Sequence, residues 1–419
     1  MKKIIKILPD TGKISLLLFC LSIISCSTKI SNHETNEIRQ ALPPKIETLV
    51  MTFSGDLMAH DVNFKMKDYN RIYDSVRPIL TTDDLSFTNI EMPVCNSKPM
   101  STYPCFNVHS SYLKAAADGG FDVFSLANNH TNDQGISGMT GTLESAEKMQ
   151  TEFLTKNRKL YFSGVKVTDD EIMHPTLIEY QGWKIQYLSV TELLNSHGKS
   201  KQKVYYSEPN AEGRKKLLTI ISESRKNTPS DLFILSLHLC EAEYGLKVNA
   251  EKKLWFQELA KSGVDIICAS HPHVMQTWEI YKKSPKDIPI QEGVTLPPNL
   301  TSSGEETLET KNEPLNSAFF MYSMGNFISG QRVKPNYANP NHYREYTGDA
   351  VLLQITVKKI DDIVQDSFQI KPIPITVHKE APGYVVKLFT EDWISTLPET
   401  QKKYYSKRLN FMRAYLPVQ

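Results

Sequence analysis

The sequence predicts an α/β fold, and three observations predict it. Apolar runs of strand length recur along most of the chain, stretches with helical spacing or helix-favouring composition separate them, and polar residues of chemical interest stand at the ends of several runs. The runs cover residues 48–54, 85–90, 121–126, 185–190, 232–237, 264–269, 318–322 and 350–357, and the helical stretches cover 111–118, 138–150, 211–226 and 250–262. At 419 residues the chain can bury a large core, as one big α/β domain or two ordinary ones. The 48 Lys and Arg against 47 Asp and Glu leave a formal net charge of +1, so composition excludes a strong nonspecific attraction to nucleic acid or to an anionic polymer. Any affinity for anions has to be local.

In chain order, residues 1–26 read as a signal peptide: Lys2, Lys3, Lys6 and Lys13 precede an apolar run over 14–24, and Ser25 and Cys26 close it. The run falls short of the ~20 apolar residues that cross a bilayer comfortably. Ile23-Ile24-Ser25-Cys26 resembles a lipoprotein processing site, with Cys26 receiving the lipid; an ordinary secretory signal with an incidental Cys26 is the blander reading. Residues 27–46 lack apolar periodicity and read as a flexible tether. The folded domain is expected over 47–378, with an exposed insertion loop at 283–314, where prolines and polar residues break the rhythm, and a helical extension over 379–419. Export would place the cysteines in an oxidising compartment, where Cys95 and Cys105 are candidates for a disulfide around a short loop, while Cys240 and Cys268 read as sheet neighbours or buried thiols. There is no CxxC pair to suggest thiolate zinc, and no glycine-rich phosphate loop.

The candidate site residues stand where the apolar runs end. Asp56 follows Phe53-Ser54-Gly55; Asn89 and Glu91 share a face at two-residue spacing; Asn128, Asn129, His130, Asn132 and Asp133 follow the run ending at Leu126. His238 ends a fourth run with Glu241 and Glu243 close behind, and His271 and His273 follow a fifth. Taken singly, each has a bland explanation, as a turn with a capping Asp, a polar strand end or a satisfied histidine. Recurring at five strand ends of one α/β chain, they point to one shared site, because ligands on such sheets gather at the carboxyl ends of the strands. Oxygen and imidazole donors without thiolate suit Mn, Fe or Zn.

Read in order, Gly55-Asp56, Asn89-Ile90-Glu91, Ala127-Asn128-Asn129-His130 with Asp133 and Gly135, His238, His271-Pro272-His273 and Tyr322-Ser323-Met324-Gly325-Asn326-Phe327 resemble the CapA-like capsule synthesis family, within the calcineurin-like metallophosphoesterase superfamily. The resemblance implies a metallophosphoesterase-like four-layer sandwich of two mixed β-sheets flanked by helices. It further implies Asp56 and His273 on one metal, Glu91 in the bridging position usually held by an aspartate, and Asn129, His238 and His271 on a second. His130, with Asp133, is the implied catalytic pair, His130 serving as proton donor. Two positions depart from the pattern: Glu243-Tyr244 arrives one residue late after His238, and Met58 stands where many phosphoesterases carry a histidine, with His60 displaced.

The expected protein is an exported, lipid-anchored component of the cell envelope, on a periplasmic or extracellular face, involved in capsule or poly-gamma-glutamate biosynthesis. Its expected site is a metal-dependent, phosphoesterase-like hydrolase centre holding one or two divalent ions. Expected partners are an anionic polymer or phosphoester substrate, other capsule-assembly proteins and the membrane through the N-terminal lipid, with no nucleic acid. The alternative expectation is a non-catalytic anchored component that binds, exports or tethers an acidic capsule polymer.

Overall fold

The computed structural model of the chain describes residues 43–284, 315–381 and 383–416. The signal peptide, Cys26, the tether up to residue 42 and positions 285–314 of the expected insertion lie outside the described residues. All elements below belong to one unit, Pro44–Gln419.

The chain first lays down four parallel neighbours, β1 (Ile46–Leu57), β2 (Leu85–Ile90), β3 (Val123–Ser125) and β4 (Tyr161–Ser163). Two single turns, α1 (Asp61–Phe64) and α2 (Arg77–Leu80), and two longer helices, α3 (Ser110–Gly119) and α4 (Gly135–Leu154), make the crossovers. A second sheet follows, from β5 (Thr176–Tyr180), β6 (Trp183–Thr191), β7 (Leu232–His238), β8 (Ile266–Ser270), β9 (Trp278–Lys282) and β10 (Ser317–Met321), with α5 (Ala211–Asn227) and α6 (Ala250–Lys261) between strands. The chain then returns to the first sheet with β11 (Asn326–Ile328), β12 (Asp349–Ile360), β13 (Ile363–Val364), β14 (Gln369–Glu380) and β15 (Gly383–Leu388), and ends in α7 (Glu391–Ser395) and α8 (Glu399–Tyr415). The first sheet has the order β15-β14-β12-β1-β2-β3-β4, with β11 on β1 and β13 on β12; the second runs β5-β6-β7-β8-β10-β9. Both sheets mix parallel and antiparallel pairs.

Alternation along the strands assembles the layers, since successive side chains point to opposite faces. Leu49, Met51 and Phe53 of β1, Phe87 of β2, Ile185 and Tyr187 of β6 and Leu232 and Ile234 of β7 meet in the core between the sheets. Phe53 and Phe87 stack there with ring centroids 4.6 Å apart, and burying each such side chain stabilises by about 1.5–3 kcal/mol. Phe233, Leu235 and Leu237, the intervening residues of β7, pack outward against Leu217 and Ile221 of α5 and Phe256 and Leu259 of α6. On the far side, Leu57, Ile90 and Phe124 pack against Tyr112 and Leu113 of α3 and Met139 and Met149 of α4. The result is the four layers that the resemblance implied, helices, sheet, sheet, helices.

Several features differ from the sequence reading. The hairpin β14–β15 carries the first sheet to Leu388, past residue 378 where the domain was expected to end, and α7 and α8 follow it. Pro372 and Pro374 hide β14 in the sequence, because proline cannot donate to a ladder. They are tolerated because β15 pairs only from Ile375 onward, so at the prolines β14 has a strand partner only in β12. Lys283, the first residue of the expected exposed loop, is buried, with its ammonium 3.2 Å from Asp265. Cys95 and Cys105 are free thiols, as are Cys240 and Cys268, so the candidate disulfide between the first two is not formed. Cys95 is buried against α4, where a Cβ on Gly141 would come within 2.4 Å of its sulfur, whereas Cys105 is exposed. No helix among the described residues is long and apolar enough to cross a membrane.

Candidate metal centre

The parallel strands of both sheets deliver their carboxyl ends to one place. At its end β1 leaves β12 and takes β11 as a parallel partner, so that Asp56 stands in register with Asn89 on one side and Asn326 on the other. A register shift between Phe53 and Asp56 accompanies this change of partner, the kind of local irregularity that re-aims a side chain. It brings the backbones so close that a Cβ on Gly55 would lie 1.8 Å from the Gly325 carbonyl oxygen. The Asp56 amide donates to that same oxygen at 2.9 Å.

Asp56, Glu91 and His238 form a fully buried triad whose ligand atoms all lie within 4.8 Å of one another, an arrangement that could hold a metal ion. Asn89 Nδ2 donates to Asp56 Oδ1 at 2.8 Å. His273 joins the triad directly, its Nδ1 3.3 Å from Asp56 Oδ2 and its Nε2 3.7 Å from Glu91 Oε1. His238 Nδ1 is engaged by Ser270 Oγ at 2.8 Å, and its Nε2 faces Glu91 Oε1 at 3.9 Å. His271 packs beside His238 and His273, with ring centroids 5.0 and 5.8 Å apart. His271 and His273 both have positive φ, 104° and 57°, a conformation that costs a non-glycine residue energy and collects at functional sites.

The second group adjoins the first. His130 Nδ1 lies 2.7 Å from Asp133 Oδ2, which also accepts from the Phe106 amide at 2.8 Å. The Phe106 ring meets His130 edge-on at 4.7 Å. Asn128 Nδ2 donates to Asn89 Oδ1 at 3.2 Å and to the Ile90 carbonyl at 2.7 Å, tying this loop to β2. Asn129 Nδ2 donates to Asn195 Oδ1 at 3.4 Å, and Asn195 Nδ2 lies 3.1 Å from His130 Nδ1.

Burial, followed by the neighbouring Asp56 carboxylate, pushes the Glu91 carboxyl well above the usual range. Burial also holds the His238 imidazole well below its ordinary value, with His271, His273 and His130 adding repulsion. The same causes, burial and then His273, lower His271 to about 4. Asp56 Oδ2, both Glu91 oxygens, Asn129 Oδ1, His238 Nε2 and His271 Nδ1 are all buried without a hydrogen bond. Native proteins leave such atoms unpaired only rarely and at a cost. Oxygens and neutral imidazole nitrogens gathered with unused lone pairs fit a divalent cation, whose charge would reverse the penalty on Glu91.

Five of the expected residues, Asp56, Glu91, His238, His271 and His273, therefore fall in one neighbourhood through direct contacts, and Asn129 is linked through Asn195 to His130. His130 and Asp133 pair as expected neighbours, whereas Cys26 lies outside the described residues. Met58 is a buried member of the core between the first sheet and its helices. The displaced His60 does return to the edge of the site. It accepts from the Gly330 amide at 2.9 Å, and burial, then His273 and His130, lower it to about 4. Asn195 and Asn326 are the contributors that received no role from the sequence. Asn195 sits in a polar loop with no periodicity, and only the fold brings it to His130.

Fold and site together define a two-sheet α/β protein with a buried candidate metal centre at its strand ends. The chain belongs to the family described as bacterial capsule synthesis protein PGA_cap, which matches residues 50–331. It is similar to the PGA biosynthesis protein CapA of Bacillus subtilis (strain 168), 24% identical over 365 residues that cover 83% of this chain and 78% of that one. It is also similar to the capsule biosynthesis protein CapA of Bacillus anthracis, 27% identical over 248 residues, and this match spans 57% of each chain. Among solved structures, a hypothetical protein from Thermus thermophilus aligns over 78% of this chain and 98% of its own, at 13% identity and a TM-score of 0.38, a likeness too loose to bear on function.

Proposed function

We propose that this capsule synthesis family member is a metal-dependent hydrolase of the phosphoesterase type, acting on an anionic substrate at the cell envelope. The observation that supports it is the set of buried ligand atoms without hydrogen bonds on Asp56, Glu91, Asn129, His238 and His271. Asp56, Glu91 and His273 would hold one divalent ion, and Glu91, Asn129, His238 and His271 a second, of Mn, Fe or Zn. Such ions supply Lewis-acid stabilisation of charge on an ester oxygen. His130 would stand beside the substrate and donate a proton to the leaving oxygen, a role worth ~10²–10⁴-fold in rate when well placed. Asp133 holds His130 Nδ1 and so directs the other ring nitrogen.

Asp56→Ala and His271→Ala test this reading. Metal per chain and turnover of a generic phosphodiester should both fall steeply, and chelation should abolish wild-type turnover until metal is restored. Activity that persists after complete metal removal overturns it. A second reading has its own support in the biosynthetic names of both relatives: the same pocket would bind an acidic capsule polymer without cleaving it, alongside other assembly proteins. Polymer binding with no turnover of either substrate selects that reading. Export and anchoring through a lipid on Cys26 belong to the proposal too, and mass spectrometry of the mature N terminus decides them.

A further inference from the structure

Beside the metal candidates lies a cationic group that the site chemistry above does not use. Tyr244 donates its backbone N–H to the Pro272 carbonyl at 2.8 Å, which fastens its loop to the turn that carries His271 and His273. Tyr244 holds φ 64°, a strained conformation for a tyrosine. The Arg344 guanidinium sits 5.1 Å from the Tyr244 ring and 5.8 Å from that of Tyr343. The two rings are themselves 5.6 Å apart, and Tyr343 is 52% exposed. The Tyr244 ring and its bond to Pro272 thus set Arg344 near the turn of His271 and His273, with the Glu243 carboxylate interacting electrostatically with His271 and with Arg344. Among the described residues, Arg344 makes no ion pair within 4 Å, unlike the buried Arg332 and Arg408.

We infer that Arg344, flanked by Tyr244 and Tyr343, is a subsite for a second anionic group of the substrate, a carboxylate or a phosphate, beside the group taken by the metal centre. The inference rests on the proposed anionic substrate and adds where that substrate is gripped. The two rings flank the guanidinium, and its fork of donors, engaged in part by the Tyr343 side chain, matches carboxylate and phosphate oxygens two at a time. A near-neutral chain has no general field to collect a polyanion, so a local cation beside the site is where selectivity for a charged chain can arise.

The test is equilibrium binding by the full chain, with and without chelator, of two fluorescent probes, a γ-linked glutamate oligomer and tripolyphosphate. Arg344→Ala should weaken binding about ten-fold or more, the scale of a lost charged hydrogen bond. Arg344→Lys should recover only part, because an ammonium lacks the fork. Lys216→Ala, which removes an exposed charge on α5, should bind as wild type. Loss for the glutamate probe alone assigns a carboxylate, loss for tripolyphosphate alone a phosphate, and loss for both a shared anion site. Wild-type affinity in Arg344→Ala, an equal loss in Lys216→Ala, or no wild-type binding at millimolar probe overturns the inference. Because binding is read apart from turnover, failure of the hydrolase proposal leaves this result interpretable.

Discussion

Asn195 touches two candidate site residues at once, accepting from Asn129 Nδ2 and placing its own Nδ2 beside His130 Nδ1. Partners that orient a ligand or a proton donor commonly matter by 10–100-fold in affinity or activity. Asn195→Ala is therefore expected to lower kcat on a phosphodiester by about ten-fold or more, and the kcat and KM split would separate lost orientation from lost binding. His60 provides a pH test. Its folded-state value of about 4 lies below the ordinary 6.5, so the folded protein binds fewer protons than the unfolded chain between those values. Its contribution to stability is present above about pH 6.5 and is lost as pH falls toward 4. In metal-free protein, the melting temperature of His60→Asn, which keeps an acceptor for the Gly330 amide, should fall less steeply over that window than wild type. At this scale the candidate ligands were legible in the sequence, because Asp56, Glu91, His238, His271 and His273 each end an apolar run. Their supporting partners were not: Asn195 and Ser270 are ordinary polar residues until the fold sets them against His130 and His238.

At the level of elements, β1 does the most to position the site. Its first part pairs with β12, and its end swings over to β11 beside Asp56. Gly55 makes this possible, and Gly55→Ala would drive a Cβ into the Gly325 carbonyl, with backbone on both sides of the clash. The expected result is a loss of about 1–3 kcal/mol or more in chemical denaturation, together with weaker metal retention. Full activity and stability in that variant would show that the close approach is dispensable. The longer helices and the strands β2, β6, β7 and β12 were readable because their apolar periodicity is strong. The three-residue β4, the edge strand β9 with its exposed alternate side chains, and the proline-bearing β14 were not, since in each the neighbour, and not local composition, makes the strand. Cys95 and Cys105 misled for a related reason: closeness in sequence suggests a bridge, while α4 draws the Cys95 side chain into the core.

For the molecule as a whole, α8 closes the first sheet through a buried charge network. Arg332 and Arg408 flank Asp349, each with a nitrogen 2.6 Å from a carboxylate oxygen, and Tyr404, Tyr405 and Leu409 of α8 extend the core between the sheets. The two arginines hold the Asp349 carboxyl below its ordinary range against the opposing effect of burial. Removing one partner leaves buried charge uncompensated, which typically costs about 3–5 kcal/mol. Arg408→Ala should show that loss in urea denaturation, and a change below ~1 kcal/mol would mean that the network contributes no more than an exposed ion pair. The α/β class, the order of the main elements and the residue types of the candidate ligands could all be read along the chain, because they follow from local periodicity and residue type. The meeting of two sheets' strand ends in one buried cluster, the contacts of Asn195 and His60, the free state of the cysteines and the placing of Arg344 near the His271 turn could not. Those depend on contacts between residues tens to hundreds of positions apart, and such contacts leave no local pattern from which to infer them.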